Sequence, residues 1–404
     1  MSSLKYWIWL STRTGVGPAR VKKLIEFFGS PESVYNASER DYLDVEGIKP
    51  ADITWLRIKE MDPVNKILSS CAETGCRIIT FQDSNYPDRL RNIYDPPPVL
   101  YIKGNLPYID EEAVVGVVGT RNCTPYGIIT AESICCKLSE QGIIVATGLA
   151  RGVDTAATKG ALRGGSSTIG VIGSGIDIIY PPENESLFDH VTRAGAVISE
   201  YPPGTPAVKT HFPMRNRIIS GISVGIAVIE APKKSGALIT ASRALEQGRD
   251  VFTLPGNVDA VNCEGSNALL REGAIPFLSA EDIIDEYIEL FPDKISMPDI
   301  SEVKSGKPKE IKQKSVKANR EEPKNSFDNI TKVDYIGLGN LLEKLDGDEK
   351  CIVGSIGLKS LYIEDIILDT GLPVNKVLAV LTMLELSEYV KRDNSGKWEI
   401  TGHS

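Results

Sequence analysis

The sequence predicts an α/β core built on an open, doubly wound sheet, and three observations predict it. Short apolar runs recur at 113–118, 143–146, 168–172, 196–199, 225–229 and 251–254. They are rich in β-branched residues and almost free of charge, as strands covered on both faces should be. Segments of helical period lie between them, at 125–140, 155–162, 184–193, 216–221 and 237–247. Glycines mark the strand ends, at Gly119, Gly148, Gly152, Gly173, Gly175 and Gly236. Strand–helix alternation at this spacing means parallel strands joined by crossover helices. Ligands of such sheets bind beyond the carboxyl ends of the strands, so the glycine-marked loops face the expected site.

The flanking segments differ from this core. Residues 1–80 read as a small helical domain. Gly15, Gly17 and Pro18 form a tight turn feeding a helix, with Pro18 in the first turn, where a missing N–H costs nothing. With a second glycine turn at Gly47, the pattern suits a helix-hairpin-helix or sterile-alpha-motif-like unit. Its turn amides suit either a phosphate or plain packing. Residues 86–101 are too proline-rich for a helix and read as an extended connector into the core, so 81–291 is taken as connector plus core. Residues 292–334, poor in aromatics and rich in Lys, Ser, Pro and Glu, read as a flexible linker. Residues 335–404 show helical periods at 335–345 and 361–368, a turn at 369–373, a helix at 374–386 and a β-wing at 389–392 and 397–400, a winged-helix pattern. Its second helix carries Lys376 as its one cation and also Glu385, so contact with protein is as good a reading as contact with a DNA groove.

Composition excludes several classes. The chain has 404 residues, 42% hydrophobic and 25% charged, which suits two or three folded domains rather than a disordered chain. No apolar run reaches the roughly 18 residues of a membrane span, and the first residues lack the pattern of a secretory leader, so a cytoplasmic location is expected. Seven cysteines without a CxxC pair and three scattered histidines give neither a disulfide framework nor a metal site, and no cofactor is expected. The net charge of −9 is unevenly spread. Residues 113–229 hold nine Lys/Arg against eight Asp/Glu, net +1, which leaves −10 elsewhere, and 201–229 contains no carboxylate at all. One locally basic surface on an acidic protein is compatible with a polyanion.

The loops name candidates. No GxxxxGK[ST] is present, which disfavours a P-loop. Gly173, Ser174 and Gly175 begin like a dinucleotide fingerprint but lack its third glycine; they form a tight turn whose amides are placed to face a phosphate. Arg121, two residues past a strand with Gly119 and Thr120, suits bidentate phosphate binding, or else a structural ion pair. Arg151 has the same two readings, with Asp154 three residues on as its partner. The strongest signal is 206–221, where Lys209, Arg215 and Arg217 surround Phe212 with no acid nearby. Single-stranded nucleic acid needs spaced cations and a flat ring for unstacked bases; the alternative is that Phe212 packs into the sheet and an arginine bonds a core carboxylate. A helix expected to start at Asn216 would add free N–H groups. No catalytic residue is assigned. Ser166, Ser167, Ser199 and Ser235 have no histidine close in sequence. Asp154, Asp177, Glu200 and Glu230 near strand ends read better as acceptors for backbone amides than as acid or base.

These loops resemble those of the DNA processing protein A (DprA/Smf) family. The matching stretches are 119–121, 147–154 (Thr-Gly-Leu-Ala-Arg-Gly-Val-Asp), 171–181, 198–204, 212–221 (Phe-Pro-Met-Arg-Asn-Arg-Ile-Ile-Ser-Gly), 235–241 and 248–256, collinear over roughly residues 80 to 290. The resemblance implies a Rossmann-like doubly wound core that binds single-stranded DNA and helps load the RecA recombinase in natural transformation, working as a homodimer without catalysis. It places Arg121, Lys209 and Phe212 in the DNA pocket, with Gly119, Arg215 and Arg217 in or beside it. One departure is Thr158-Lys159, where members often have His followed by a base. The rival reading is a nucleotide-binding or nucleotide-cleaving Rossmann-like enzyme related to phosphoribohydrolases. Those use a Pro-Gly-Gly-x-Gly-Thr loop followed by a glutamate, whereas residues 231–240 lack the paired glycines and no acid follows until Glu246.

Overall fold

The computed structural model describes residues 2–13 and 15–295 and, beyond them, residues 345, 347–356, 361–370, 372–387, 389–392 and 397–400. The chain divides into two compact units, Met1–Ser305 and Gly306–Ser404.

The first unit opens with six helices: α1 (Ser2–Ser11), α2 (Pro18–Phe28), α3 (Pro31–Asn36), α4 (Glu39–Leu43), α5 (Pro50–Leu56) and α6 (Asp62–Thr74). Pro18 sits in the first turn of α2, as expected, and Gly29 closes the helix with φ 77°. Strands β1 (Arg77–Thr80) and β2 (Val99–Gly104) follow, with the short α7 (Asp88–Arg91) between them. The expected connector is therefore corrected. Its prolines, Pro87 and Pro96 to Pro98, end at Pro98, and the apolar run after them joins the sheet, antiparallel to both of its neighbours.

The core then alternates β3 (Val114–Val118), α8 (Pro125–Glu140), β4 (Ile144–Thr147), α9 (Val153–Gly164), β5 (Thr168–Ile172), α10 (Glu185–Ala194), β6 (Ala196–Ser199), α11 (His211–Ile222), β7 (Gly225–Val228), α12 (Gly236–Glu246), β8 (Asp250–Thr253), α13 (Glu264–Arg271), β9 (Ile275–Pro276) and α14 (Glu281–Tyr287). The sheet order is β1-β2-β6-β5-β4-β3-β7-β8-β9, with every pair from β6 to β9 parallel. All six expected strands are present within a residue of their expected bounds. The sheet is wound from β3 outward in both directions, so the strand order reverses between β3 and β7.

Side chains leave the strands with period two. Val114 and Val118 join a core with Ile218, Ile219 and Ala241 of α11 and α12, while Val115 and Val117 join one with Ala131, Cys135 and Ala157 of α8 and α9. The helical front shares a third cluster with the sheet, in which Trp7, Leu24 and Leu56 meet Val99, Tyr101 and Val197. Burying side chains of this kind contributes about 1.5–3 kcal/mol each.

In the second unit, α15 (Gly347–Ile356), α16 (Ile363–Thr370) and α17 (Val374–Leu386) precede the antiparallel pair β10 (Val390–Arg392) and β11 (Trp398–Ile400). Ile352, Ile366, Leu381 and Trp398 are buried together. The helical period read at 335–345, except residue 345, and most of the expected linker lie outside the described residues. Among those described, no helix is long and apolar enough to cross a membrane.

Candidate nucleic-acid interface

A crevice of about 500 Å³ opens where the strand order reverses, between the loops that follow β3 and β7. This is where open α/β sheets hold ligands. Gly119, Thr120 and Arg121 enter it from β3, Lys234, Ser235 and Gly236 from the loop before α12, and Lys209, Phe212, Arg215 and Asn216 from the start of α11.

Local chemistry fixes each wall. Thr120 is held by its N–H, which donates to the Glu230 carbonyl at 2.7 Å, and by its carbonyl, which accepts from Val153 N at 3.2 Å. Gly152, at φ 75°, is pressed against this turn; a Cβ there would meet the Thr120 carbonyl at 2.4 Å and that of Arg121 at 2.7 Å, so the two loops touch only because no side chain intervenes. Helix α11 begins at His211, five residues before the expected start. Pro213 is compatible because it falls in the first turn, where N–H groups have no intrahelical acceptor. His211 stacks on Tyr201 at 3.9 Å, and its Nδ1 donates to the Gly173 carbonyl at 3.1 Å. Phe212 thereby lies against Gly173, where a Cβ would come within 3.2 Å of the ring.

Phe212 is half-buried, with Tyr180 at 5.5 Å between ring centroids and the Arg121 guanidinium 5.1 Å above its ring. Arg121, Lys209 and Lys234 are exposed and, among the described residues, have no carboxylate within ion-pair distance. Ser235 caps α12, its hydroxyl accepting from Ala237 N at 3.2 Å. Asn216 joins the two helices: its amide donates to the Gly236 carbonyl at 3.4 Å and its oxygen accepts from Arg215 Nε at 3.1 Å.

Arg215 lies in the crevice, as expected, though as part of its buried floor; three other expectations, on Arg217, the Ser174-Gly175 turn and the partner of Arg151, need correction. Arg215 Nη1 donates to the carbonyls of Gly148 (2.7 Å) and Val171, tying β4 to β5. Burial lowers it to about 10, which leaves it charged at neutral pH beside Asp154. Arg217 faces away from the crevice, is 1% exposed, and pairs with Glu200 at 2.6 Å and Asp95 at 3.4 Å. Burial pulls its pKa down, but the two carboxylates more than offset this and hold it above its ordinary value. Gly175 offers no free amide, because its N–H donates to the Thr205 carbonyl at 2.8 Å. Ser174 is buried, its hydroxyl donating to the Ile178 carbonyl at 2.7 Å; neither residue lines the crevice. Arg151 is paired, but with Glu183 rather than Asp154.

Three of the four carboxylates accept backbone amides, as read from the sequence, whereas Glu200 accepts from the Arg217 guanidinium instead. Asp154 takes the amides of Gly148 at 3.0 Å and Ala150 at 3.4 Å, Asp177 takes Gly204 N at 2.8 Å, and Glu230 takes the amide and hydroxyl of Thr124. Burial raises the Asp154 carboxyl, and Arg215 opposes that rise. Thr158, at the departure from the family pattern, bonds the Asp154 carbonyl at 2.7 Å and the Thr147 hydroxyl at 2.8 Å. Sequence reasoning missed Tyr180 and Lys234 as crevice residues. The signal for Lys234 was a lysine pair just before a Ser-Gly helix start.

Fold and site together define a Rossmann-like protein with a cationic, aromatic crevice at its topological switch point. Residues 77–288 match the family of DNA recombination-mediator protein A and residues 340–396 the DprA winged helix domain. The chain belongs to the DNA processing protein A family. It is similar to DNA processing protein DprA of Bacillus subtilis (strain 168), 42% identical over 224 residues, 55% of this chain and 75% of the relative. It is 35% identical to that of Streptococcus pneumoniae over 287 residues, 71% of this chain and 99% of the relative. A solved structure of the pneumococcal protein aligns with TM-score 0.61 at 34% identity, over 70% of this chain and 97% of that one. One from Helicobacter pylori, solved for its single-stranded DNA binding mode, aligns with TM-score 0.48 at 27% identity, over 53% and 96%.

Proposed function

We propose that this chain binds single-stranded DNA in the crevice and, as a cytoplasmic homodimer, passes the strand to a RecA recombinase during natural transformation. One observation carries the DNA half: an accessible aromatic ring sits among three cations that, among the described residues, lack carboxylate partners, at the switch point of the sheet. Spaced cations track phosphates and a ring stacks an unpaired base. Arg121 over Phe212 is a cation–π contact, about 0.5–1 kcal/mol at an exposed site. A base stack is about 1–3 kcal/mol. Exchange therefore favours the base, and the released guanidinium forks onto a phosphate. The mediator half and the dimer rest on family membership. We read binding without cleavage, because the crevice carboxylate of Asp154 already accepts two backbone amides beside Arg215.

The test is a fluorescence-anisotropy titration of labelled oligo-dT against a duplex of equal length. A clear preference for the single strand is expected, since a duplex has no free base for Phe212. Equal affinity for both would remove the stacking role. Light scattering at micromolar concentration should give twice the chain mass, and a single chain mass would overturn the dimer.

A further inference from the structure

Beyond Phe212 the crevice continues. Arg121, Tyr180 and Phe212 also line a small cleft that reaches Arg151, and Arg151 in turn lines a groove of about 380 Å³ between α8 and α9, with Thr155 and Lys159 on its α9 side. The loop carrying Arg151 is tightly held. Leu149, at φ 50°, is fixed by its N–H to the Thr147 hydroxyl (3.2 Å) and by the Asn184 amide on its carbonyl (3.0 Å), and the same amide reaches the Thr155 hydroxyl at 2.9 Å.

Charge along this track is not uniform. Lys209, Lys234, Arg121 and Lys159 are exposed with no carboxylate within ion-pair distance among the described residues; Arg151 differs, because Glu183 grips it with both oxygens, Nη2 to Oε2 at 3.0 Å. Both side chains of that pair are about half exposed, 50% and 51%, so it contributes little to stability. A carboxylate and a phosphodiester offer an arginine fork the same two acceptor oxygens, so one can replace the other. The other acid of the groove, Glu132, is compensated by Arg163, which leaves Lys159 as the excess charge.

We propose that the groove between α8 and α9 is a second segment of the polynucleotide path, where Lys159 takes a backbone phosphate and Glu183 withholds Arg151 until a phosphate displaces it. The inference rests on the proposed single-strand reading and extends it to strand length. Short oligonucleotides fill the Phe212 crevice, and longer ones cross Arg151 and reach Lys159.

The test titrates the full-length chain, wild type, Glu183→Gln and Lys159→Gln, with oligo-dT from about 4 to about 16 nucleotides at two salt concentrations. Glu183→Gln should tighten long oligonucleotides roughly twofold to fivefold, the range set by one exposed ion pair. Lys159→Gln should weaken them and lower the salt slope by about 0.7. Neither should change the shortest. If both variants match wild type at every length while Arg121→Ala still loses binding, the groove is not on the path but the crevice reading stands. Weaker long-strand binding by Glu183→Gln would equally overturn the role given to Glu183. Absence of any oligonucleotide binding by wild type would remove the crevice reading and the groove with it.

Discussion

The crevice and the winged-helix tail each hold an arginine over an aromatic ring, Arg121 over Phe212 and Arg392 over Trp398, but differ in how their lysines meet carboxylates. In α17 and the wing, Lys376 pairs with Asp348 at 2.6 Å, Lys391 with Glu399 at 3.3 Å, Arg392 covers Trp398 at 4.5 Å and Lys397 covers Tyr362 at 4.9 Å. In the crevice, Arg121, Lys209 and Lys234 meet no carboxylate among the described residues. A phosphate site is marked less by the number of cations than by the partners withheld from them. The contrast recurs around α11, where Lys209, just before the helix, is exposed and Arg217, within it, is buried against two acids.

The largest effect that sharpens this comparison belongs to Arg217. Arg217→Ala strands Glu200 and Asp95, which are only 14% and 18% exposed, so unfolding free energy should fall by about 3–5 kcal/mol in chemical denaturation. Below its unfolding transition the variant should keep the wild-type salt slope for single strands; a slope lower by about 0.7 with the fold intact would make Arg217 a phosphate ligand after all. Next comes Phe212→Ala, expected to cost about 1–3 kcal/mol of single-strand affinity with unfolding unchanged to within about 1 kcal/mol. Unchanged affinity would reduce the ring to packing. The smallest effect is expected in the tail. Lys376→Ala, which breaks an exposed pair, should leave oligo-dT affinity within about 0.5 kcal/mol, and a larger loss would bring the winged helix into the strand path.

Much of the fold was legible because strands covered on both faces must be apolar, and the runs from Val114 to Thr253 had few other readings. The start of α11 was hidden by Pro213, a breaker in a helix interior but harmless in a first turn. Strand β2 was hidden by Pro96, Pro97 and Pro98, which only precede it. At the site, the exposed cations Arg121 and Lys209 and the ring of Phe212 were legible from local composition. Arg217 was not, because a carboxylate-free stretch of sequence says nothing about acids brought to it in space: Glu200 lies just outside that stretch and Asp95 comes from the segment before β2. Gly175 failed for a related reason, since its amide partner, Thr205, lies thirty residues on.

On the proposed reading, cations of the Rossmann-like crevice that have no carboxylate partner among the described residues hold single-stranded DNA. The most direct test of that reading is the oligo-dT salt dependence of wild type against Arg121→Ala combined with Lys209→Ala, in protein shown to be folded. Wild type should bind tightly and salt-sensitively, with a loss of roughly 3 kcal/mol or more and a salt slope lower by about 1.4 in the double variant. A double variant that binds as wild type does, with the same slope, would contradict the reading.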